Sequence, residues 1–182
     1  MSSDNRSTWF KGLIVRSRPL RGEPMALDLV DTVWVDQGAL VDQFDDLEGV
    51  TAWLGDHGLP GADEPERVRD RLVETRNAMR AMLADERPDG IEAVLAHGSR
   101  RPRLREQDLV IVDDPSWYAA WVAAADFVRL LNERPERVHK CANPRCVLWF
   151  LDSSKNGSRR WCRMDACGNR AKVGRFNQRH RS

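Results

Sequence analysis

All four cysteines of this 182-residue chain lie in its last quarter, where they form two pairs of identical spacing. Cys141 and Cys146 are separated by four residues, as are Cys162 and Cys167, and 15 residues lie between the pairs. Four thiolates in two short pairs suit a tetrahedral zinc ion, because each pair can cover one edge of the tetrahedron. The spacing therefore predicts a closed structural zinc site with Cys141, Cys146, Cys162 and Cys167 as its ligands.

Two disulfides, or free thiols, are the alternatives to a metal. The sequence has no signal peptide and no apolar run long enough to span a membrane, so we expect a cytoplasmic protein, in which disulfides are rare. His139 is the competing donor nearby, and a complete set of four thiolates leaves it outside the site. A metal with four cysteine ligands has no open coordination position, so we expect the chain not to be an enzyme.

The residues around the cysteines predict a small finger. The apolar run 147–151 has strand character, and the turn signal Asn156-Gly157 predicts a hairpin whose return strand reaches Cys162. Residues 169–180 contain no proline and many basic side chains, which favours a helix. A turn, a hairpin and a helix around one zinc ion form a treble-clef-like finger.

This segment resembles the CGNR zinc finger, which is named for the tetrapeptide that stands here at 167–170. The resemblance includes the cysteine spacing, the Phe150-x-Asp152 element and the segment 160–162. Such fingers usually follow an ABATE-type domain, and the Leu-Asp-Leu-Val-Asp-Thr stretch at 27–32 resembles the opening motif of that domain. The family commonly has Asn where this chain has Asp31. The resemblance implies a bacterial, stress-related transcriptional regulator.

Length and a 41% apolar composition allow one principal core and one appended module. We expect a polar lead-in over residues 1–22, a mainly α ABATE-type domain over 23–135 and the finger over 136–182. Residues 100–113 predict one or two short strands, forming a short β-hairpin. Because the body has its own apolar stripes, we expect it to fold without the finger. Helices are predicted over residues 25–35, 45–58, 64–85, 91–97 and 114–132.

The net charge of only +1 conceals a strong asymmetry between the two parts of the chain. From Arg137 onward there are 12 Lys and Arg but 2 Asp and Glu, whereas the preceding residues hold 17 basic and 26 acidic side chains. A basic module on an acidic body is typical of nucleic-acid-binding proteins. The alternative is that the two parts attract each other and the finger docks on its own acidic domain.

We hypothesise that the finger binds DNA. On the predicted helix, Lys172, Arg175 and Arg179 share one face, which suits phosphates, and Asn169 could read a base edge. The alternative is a scaffold or interaction protein whose finger is purely structural and whose partner is RNA or an acidic protein. Operators are often twofold, which favours a homodimer, although the sequence has no heptad pattern. The candidate DNA-binding residues are Arg159, Arg160, Arg163, Asn169, Arg170, Lys172, Arg175 and Arg179.

Asp28 and Asp31 lie on one side of the first predicted helix, which is otherwise largely apolar. Two carboxylates in a buried helix predict either a ligand-recognition patch or side chains that reach solvent and the local backbone. On the first hypothesis, the N-terminal domain senses a small-molecule ligand through Asp28 and Asp31.

Overall fold

The computed structural model of the chain describes residues 9–10, 13–14, 18–170 and 172. Two short strands, β1 (Trp9–Phe10) and β2 (Leu13–Ile14), pair in antiparallel orientation ahead of the body. Most of the predicted lead-in lies outside the described residues. The same is true of Arg175, Arg179 and most of the predicted C-terminal helix.

Five α-helices form the body in the described part of the chain. Two antiparallel hairpins accompany them, β3 (Val33–Asp36) with β4 (Ala39–Asp42), and β5 (Gly98–Arg101) with β6 (Leu109–Val112). The prediction of a mainly α body with a short β-hairpin is confirmed in part, since about half of the described residues are helical and short β-hairpins accompany the helices. The helices are α1 (Met25–Val30), α2 (Leu47–Asp56), α3 (Pro65–Asp85), α4 (Asp89–Leu95) and α5 (Tyr118–Glu133).

Helix α1 is shorter than the predicted helix 25–35, because the chain turns directly into the β3–β4 hairpin. The turn between the two strands consists of Gln37 and Gly38, which have φ values of 49° and 88°. Positive φ at both central residues is what a two-residue hairpin turn needs to match the twist of its strands. The hairpin therefore replaces the last turn of the expected helix.

The apolar faces of the helices meet in one core. Helix α1 lies inside it, since every residue from Ala26 to Val30 is buried. Asp46 caps the start of α2 by accepting a hydrogen bond from the Gly49 N–H at 2.7 Å. The largest fully buried side chains of this core include Trp53, Leu72, Met79 and Phe127.

The finger contains two strands and a short π-helical turn among its described residues. These are β7 (Val138–Lys140), β8 (Trp149–Leu151) and the turn Met164–Gly168. A second apolar cluster joins the finger to the β3–β4 hairpin, so the finger shares a core with the body. Its buried members are Leu20, Trp34, Cys141, Leu148, Phe150, Cys162 and Cys167.

The hairpin of the finger differs from the predicted one. Strand β8 pairs with β7, which precedes the first cysteine, and His139 lies opposite Phe150. The turn predicted at Asn156-Gly157 does form, since Gly157 has a φ of 59° and its N–H donates to the Ser154 carbonyl at 3.3 Å. The chain after this turn does not join the sheet, because carboxylates of the body occupy the other edge of β8.

Candidate metal centre and nucleic-acid interface

The four cysteine sulfurs lie together, all within 4.8 Å of one another. The Sγ atom of Cys162 is 3.8 Å from that of Cys146 and 3.7 Å from that of Cys167. None of the four forms a disulfide. The segment between the pairs folds back through β8 and the following turn, which brings the two pairs to one point.

These distances fit a tetrahedral metal ion. With metal–sulfur bonds of about 2.3 Å, the edges of a regular sulfur tetrahedron are about 3.8 Å long. Cys141, Cys162 and Cys167 are buried and Cys146 is half-buried, so the site is closed on most sides. His139 lies on β7 with its ring 5.9 Å from that of Phe150, and it is not part of the ligand group.

The electrostatics of the thiols also fit a cation. The pKa of the Cys141 thiol is lowered, first because Cys146 and Cys162 donate hydrogen bonds to its sulfur. The same bonds raise the pKa of Cys146 to about 12 and raise the pKa of Cys162, and burial raises both further. Four adjacent sulfurs cannot all be deprotonated in this space by themselves. A divalent cation at their centre would supply the missing charge.

Polar groups around the sulfurs hold the ligands in place. The side-chain amide of Asn143 donates to Cys167 Sγ at 3.3 Å, and the Cys162 N–H donates to Cys141 Sγ at 3.5 Å. The N–H of Gly168 donates to the Arg163 carbonyl at 3.0 Å, which closes the π-helical turn that carries Cys167. Sequence reasoning missed Asn143 as a contact of a ligand.

Arg159 is one of the predicted DNA contacts, but its guanidinium is used inside the finger. It donates to the carbonyl oxygens of Trp161 at 3.0 Å and of Cys162, and it lies 4.4 Å above the ring of Phe150. These contacts tie the strand β8 to the second pair of cysteines. Arg159 therefore has the environment of a structural residue.

Arg163 and Asn169 are exposed but have partners within the protein. Arg163 pairs with Asp165 at 2.5 Å and donates to the carbonyl of Pro19 at 3.2 Å. The amide of Asn169 donates to the Asp165 carbonyl at 3.3 Å, across the π-helical turn. Asn169 thus closes the turn that carries the last cysteine, and its side-chain oxygen remains available.

Arg160, Arg170 and Lys172 are also exposed. Arg160 lies over the ring of Trp161 at 5.4 Å, and none of the three forms an ion pair among the described residues. Sequence reasoning did not single out three further exposed cations of the finger that also lack an acidic partner there. They are Lys140, Arg145 and Lys155.

Asp28, one of the two candidate ligand-binding acids, is buried and fully engaged. Arg18 donates to its two oxygens at 2.7 and 2.5 Å, and His57 Nε2 lies 2.5 Å from Oδ2. The side chains of Arg18 and Asp28 are 4% and 1% exposed, so the pair is closed to solvent. This carboxylate has the environment of a buried ion pair that joins the lead-in to α1 and α2.

Asp31, the other candidate, faces the finger. Its Oδ1 accepts a hydrogen bond from the backbone N–H of Trp149 at 3.0 Å. Two residues further along β8, the N–H of Leu151 donates to Glu23 at 2.9 Å. Both N–H groups are on the edge of β8 that faces away from β7. Sequence reasoning gave no signal for Glu23.

A cleft of about 630 Å³ lies in another part of the body, and neither Asp28 nor Asp31 lines it. It is bounded by the end of α2, the start of α3 and the segment 112–119. Arg67 crosses it, since it donates to both Glu64 and Asp114. Its apolar lining includes Leu54, Val68, Val112 and Ala119, and its carboxylates are Asp63, Glu64, Asp113 and Asp114.

Four adjacent cysteines at the centre of a small, cation-rich module place the chain in the zinc-finger class of proteins. The family model of the CGNR zinc finger matches residues 137–180. The model of the ABATE family, described as "Putative stress-induced transcription regulator", matches residues 23–134. Because this second match covers more than half of the sequence, the chain belongs to the ABATE family. The resemblance seen in the sequence is confirmed, and no curated protein matches the chain.

Within residues 18–170, no helix combines the length and the apolar character that crossing a membrane requires.

Proposed function

We propose that this protein is a transcriptional regulator that binds DNA through the exposed cations of its zinc finger. The main support for the proposal is that the basic residues of the finger fall into two groups, one engaged inside the fold and one exposed. Arg159 is engaged inside the fold, whereas Arg160, Arg170 and Lys172 are exposed and have no acidic partner among the described residues. Cations that the fold does not use suit the phosphates of a nucleic acid.

Cys141, Cys146, Cys162 and Cys167 would hold one zinc ion in this proposal. When bound, the ion cross-links four points of the finger and neutralises thiolate charge, and it has no open position for a reaction. The chain's own residues then set the shape of the binding surface. Asn143 and the π-helical turn orient the ligands, and the exposed Arg170 and Lys172 follow the last ligand by three and five residues.

The proposal is tested by selection from a pool of random-sequence duplex DNA with the zinc-loaded chain, followed by titration of the best fragment. We expect an enriched sequence whose affinity exceeds nonspecific binding by about 10³-fold or more at physiological salt. RNA of the same length serves as the competitor. A folded, zinc-loaded chain that prefers RNA, or that enriches no DNA sequence, would favour the interaction-protein alternative.

A second proposal concerns sensing by the body. Because Asp28 is engaged by Arg18 and His57, we assign the ligand site to the cleft beside α2 and α3 instead. Its volume falls in the range of small-molecule sites. Arg67 engages Glu64 and Asp114, and His97 lies 2.8 Å from Asp113, so among the described residues Asp63 is the acid left to attract a positively charged ligand. Thermal melting of the chain with a panel of organic amines and matched organic acids tests this: amines should raise the midpoint and acids should not.

A further inference from the structure

Strand β8 has two edges, and each is occupied by a different part of the chain. On one edge the strand pairs with β7, and just beyond the two strands the Cys141 N–H donates to the Leu148 carbonyl at 3.0 Å. On the other edge, the N–H groups of Trp149 and Leu151 donate to carboxylates of the body. An open strand edge is a row of unpaired polar groups, which proteins normally cover. Here side chains cover it, where the sequence predicted a return strand.

The two carboxylates come from opposite ends of one helix. Glu23 lies two residues before α1, and Asp31 is the residue that ends it. Helix α1 therefore runs alongside β8, with Glu23 on Leu151 and Asp31 on Trp149. Because Ala26 to Val30 are buried in the core, α1 cannot shift without disturbing the body. The finger is thus attached to the most deeply buried helix of the body.

A guanidinium completes this junction. Arg80 of α3 donates to the Val30 carbonyl at the end of α1 at 2.7 Å. The same group donates to the Val147 carbonyl of the finger at 3.1 Å. Glu23 also lies 4.0 Å from Arg159, the arginine that ties β8 to the second cysteine pair. A continuous chain of contacts therefore leads from the body's core through β8 to the metal ligands.

We propose that Glu23, Asp31 and Arg80 form a latch through which the body and the metal centre stabilise each other. Metal binding orders the cysteines and β8, and β8 fixes α1. By thermodynamic reciprocity, a well-folded body then raises the affinity of the finger for its metal. The proposal rests on the proposed zinc site, and it makes the two family segments one cooperative unit.

The latch is tested in the full-length chain with Glu23→Ala and Arg80→Met. Glu48→Ala is the matched control, because Glu48 is an exposed acid of α2 that contacts no part of the finger among the described residues. The affinity for zinc is measured by competition with a chromogenic chelator, and the folding of the body by circular dichroism. We expect each latch variant to bind zinc at least about 5-fold more weakly than the parent, and the control to bind as the parent does. Affinities equal to that of the parent in folded variants would overturn the proposal.

Hydrogen exchange tests the contact between Glu23 and Leu151 independently of metal binding. In Glu23→Ala, the Leu151 amide should exchange ~10-fold or more faster than in the parent, since it loses a charged acceptor. The Phe150 amide, which faces β7, serves as the internal control.

If the parent binds no zinc, the metal proposal fails, yet slow exchange at Trp149 and Leu151 would still support the contact. Should Arg80→Met fail to fold, Arg80→Lys replaces it. Unchanged exchange at Leu151 would contradict the latch whatever the state of the metal.

Discussion

The carboxylate of Asp31 accepts a hydrogen bond from the backbone N–H of Trp149 at 3.0 Å, across the junction of body and finger. Asp31 is 1% exposed, and its Oδ2 has no hydrogen-bond partner among the described residues. Burial raises the pKa of this carboxyl well above its usual range, although the Trp149 bond and the charge of Arg80 act in the opposite direction. The bond to Trp149 needs an acceptor oxygen but not a negative charge.

Asp31→Asn should therefore stabilise the protein at neutral pH. The folded state holds the Asp31 proton more tightly than the unfolded chain, so this group's contribution to the free energy of unfolding is full at low pH. It is lost as the pH rises from about 3.9 through the raised folded pKa. The variant has no carboxyl to ionise at this position and so avoids this loss. Its free energy of unfolding should be higher than that of the parent by on the order of 1 kcal/mol at pH 7. Urea unfolding between pH 4 and 8 measures the difference, which should shrink towards acid.

Asp31→Ala is the control for that experiment, because it removes the charge and the acceptor together. It leaves the Trp149 N–H without a partner, so it should be less stable than Asp31→Asn at every pH. A parent that is more stable than Asp31→Asn at pH 7 would show that the negative charge itself is needed, through Arg80.

The Arg18–Asp28 pair should contribute strongly to stability. Removing one partner of a buried ion pair costs about 3–5 kcal/mol when the remaining charge has no other partner. Here Asp56 lies 3.1 Å from Arg18 and His57 lies 2.5 Å from Asp28, so we expect Arg18→Met and Asp28→Asn each to cost less than this limit but at least about 1 kcal/mol, measured by urea unfolding. Arg21→Met is the control, since Arg21 is 61% exposed and should change stability by less than about 0.5 kcal/mol. An Asp28→Asn variant as stable as the parent would restore Asp28 as a candidate ligand contact.

Two adjacent arginines of the finger should behave differently. Arg159→Met removes donors to the Trp161 and Cys162 carbonyls and should destabilise the finger by about 1–3 kcal/mol. Arg160→Ala should leave the melting temperature nearly unchanged and weaken DNA binding. Thermal melting measures the stability of each variant, and fluorescence anisotropy on the same samples measures its DNA affinity. Equal effects of the two substitutions on stability would contradict the division into internal and exposed cations.

The sequence predicted the cluster of four cysteines better than the fold around it. The cysteine spacing indicated that the two pairs meet, because a structural metal site would demand a specific number and type of donors. The positions of α2 and α3 followed from apolar periodicity and from the breaks after them. These features depend on neighbours in sequence, so they can be read from it.

The remaining differences arise from contacts between distant residues. Strand β8 pairs with β7, and its predicted partner is displaced because Glu23 and Asp31, more than 100 residues away, take the other edge. No local pattern indicates such a bond. The β3–β4 hairpin was recognisable in the sequence from the two-residue turn Gln37–Gly38 between its strands. It was not predicted because the apolar run before the turn was interpreted as part of a helix.

The central claim is that the exposed cations of the finger contact DNA phosphates. Its most direct test is the salt dependence of DNA affinity for the parent and for a variant with Arg160, Arg170 and Lys172 all changed to alanine. A second variant, with Arg21, Arg101 and Arg134 changed to alanine, controls for net charge, because these exposed arginines lie outside the finger. We predict that the slope of log affinity against log salt falls by about one unit per lost contact in the finger variant and stays unchanged in the control. A finger variant that keeps its fold and zinc, and binds DNA with the parent's affinity and slope, would contradict the account.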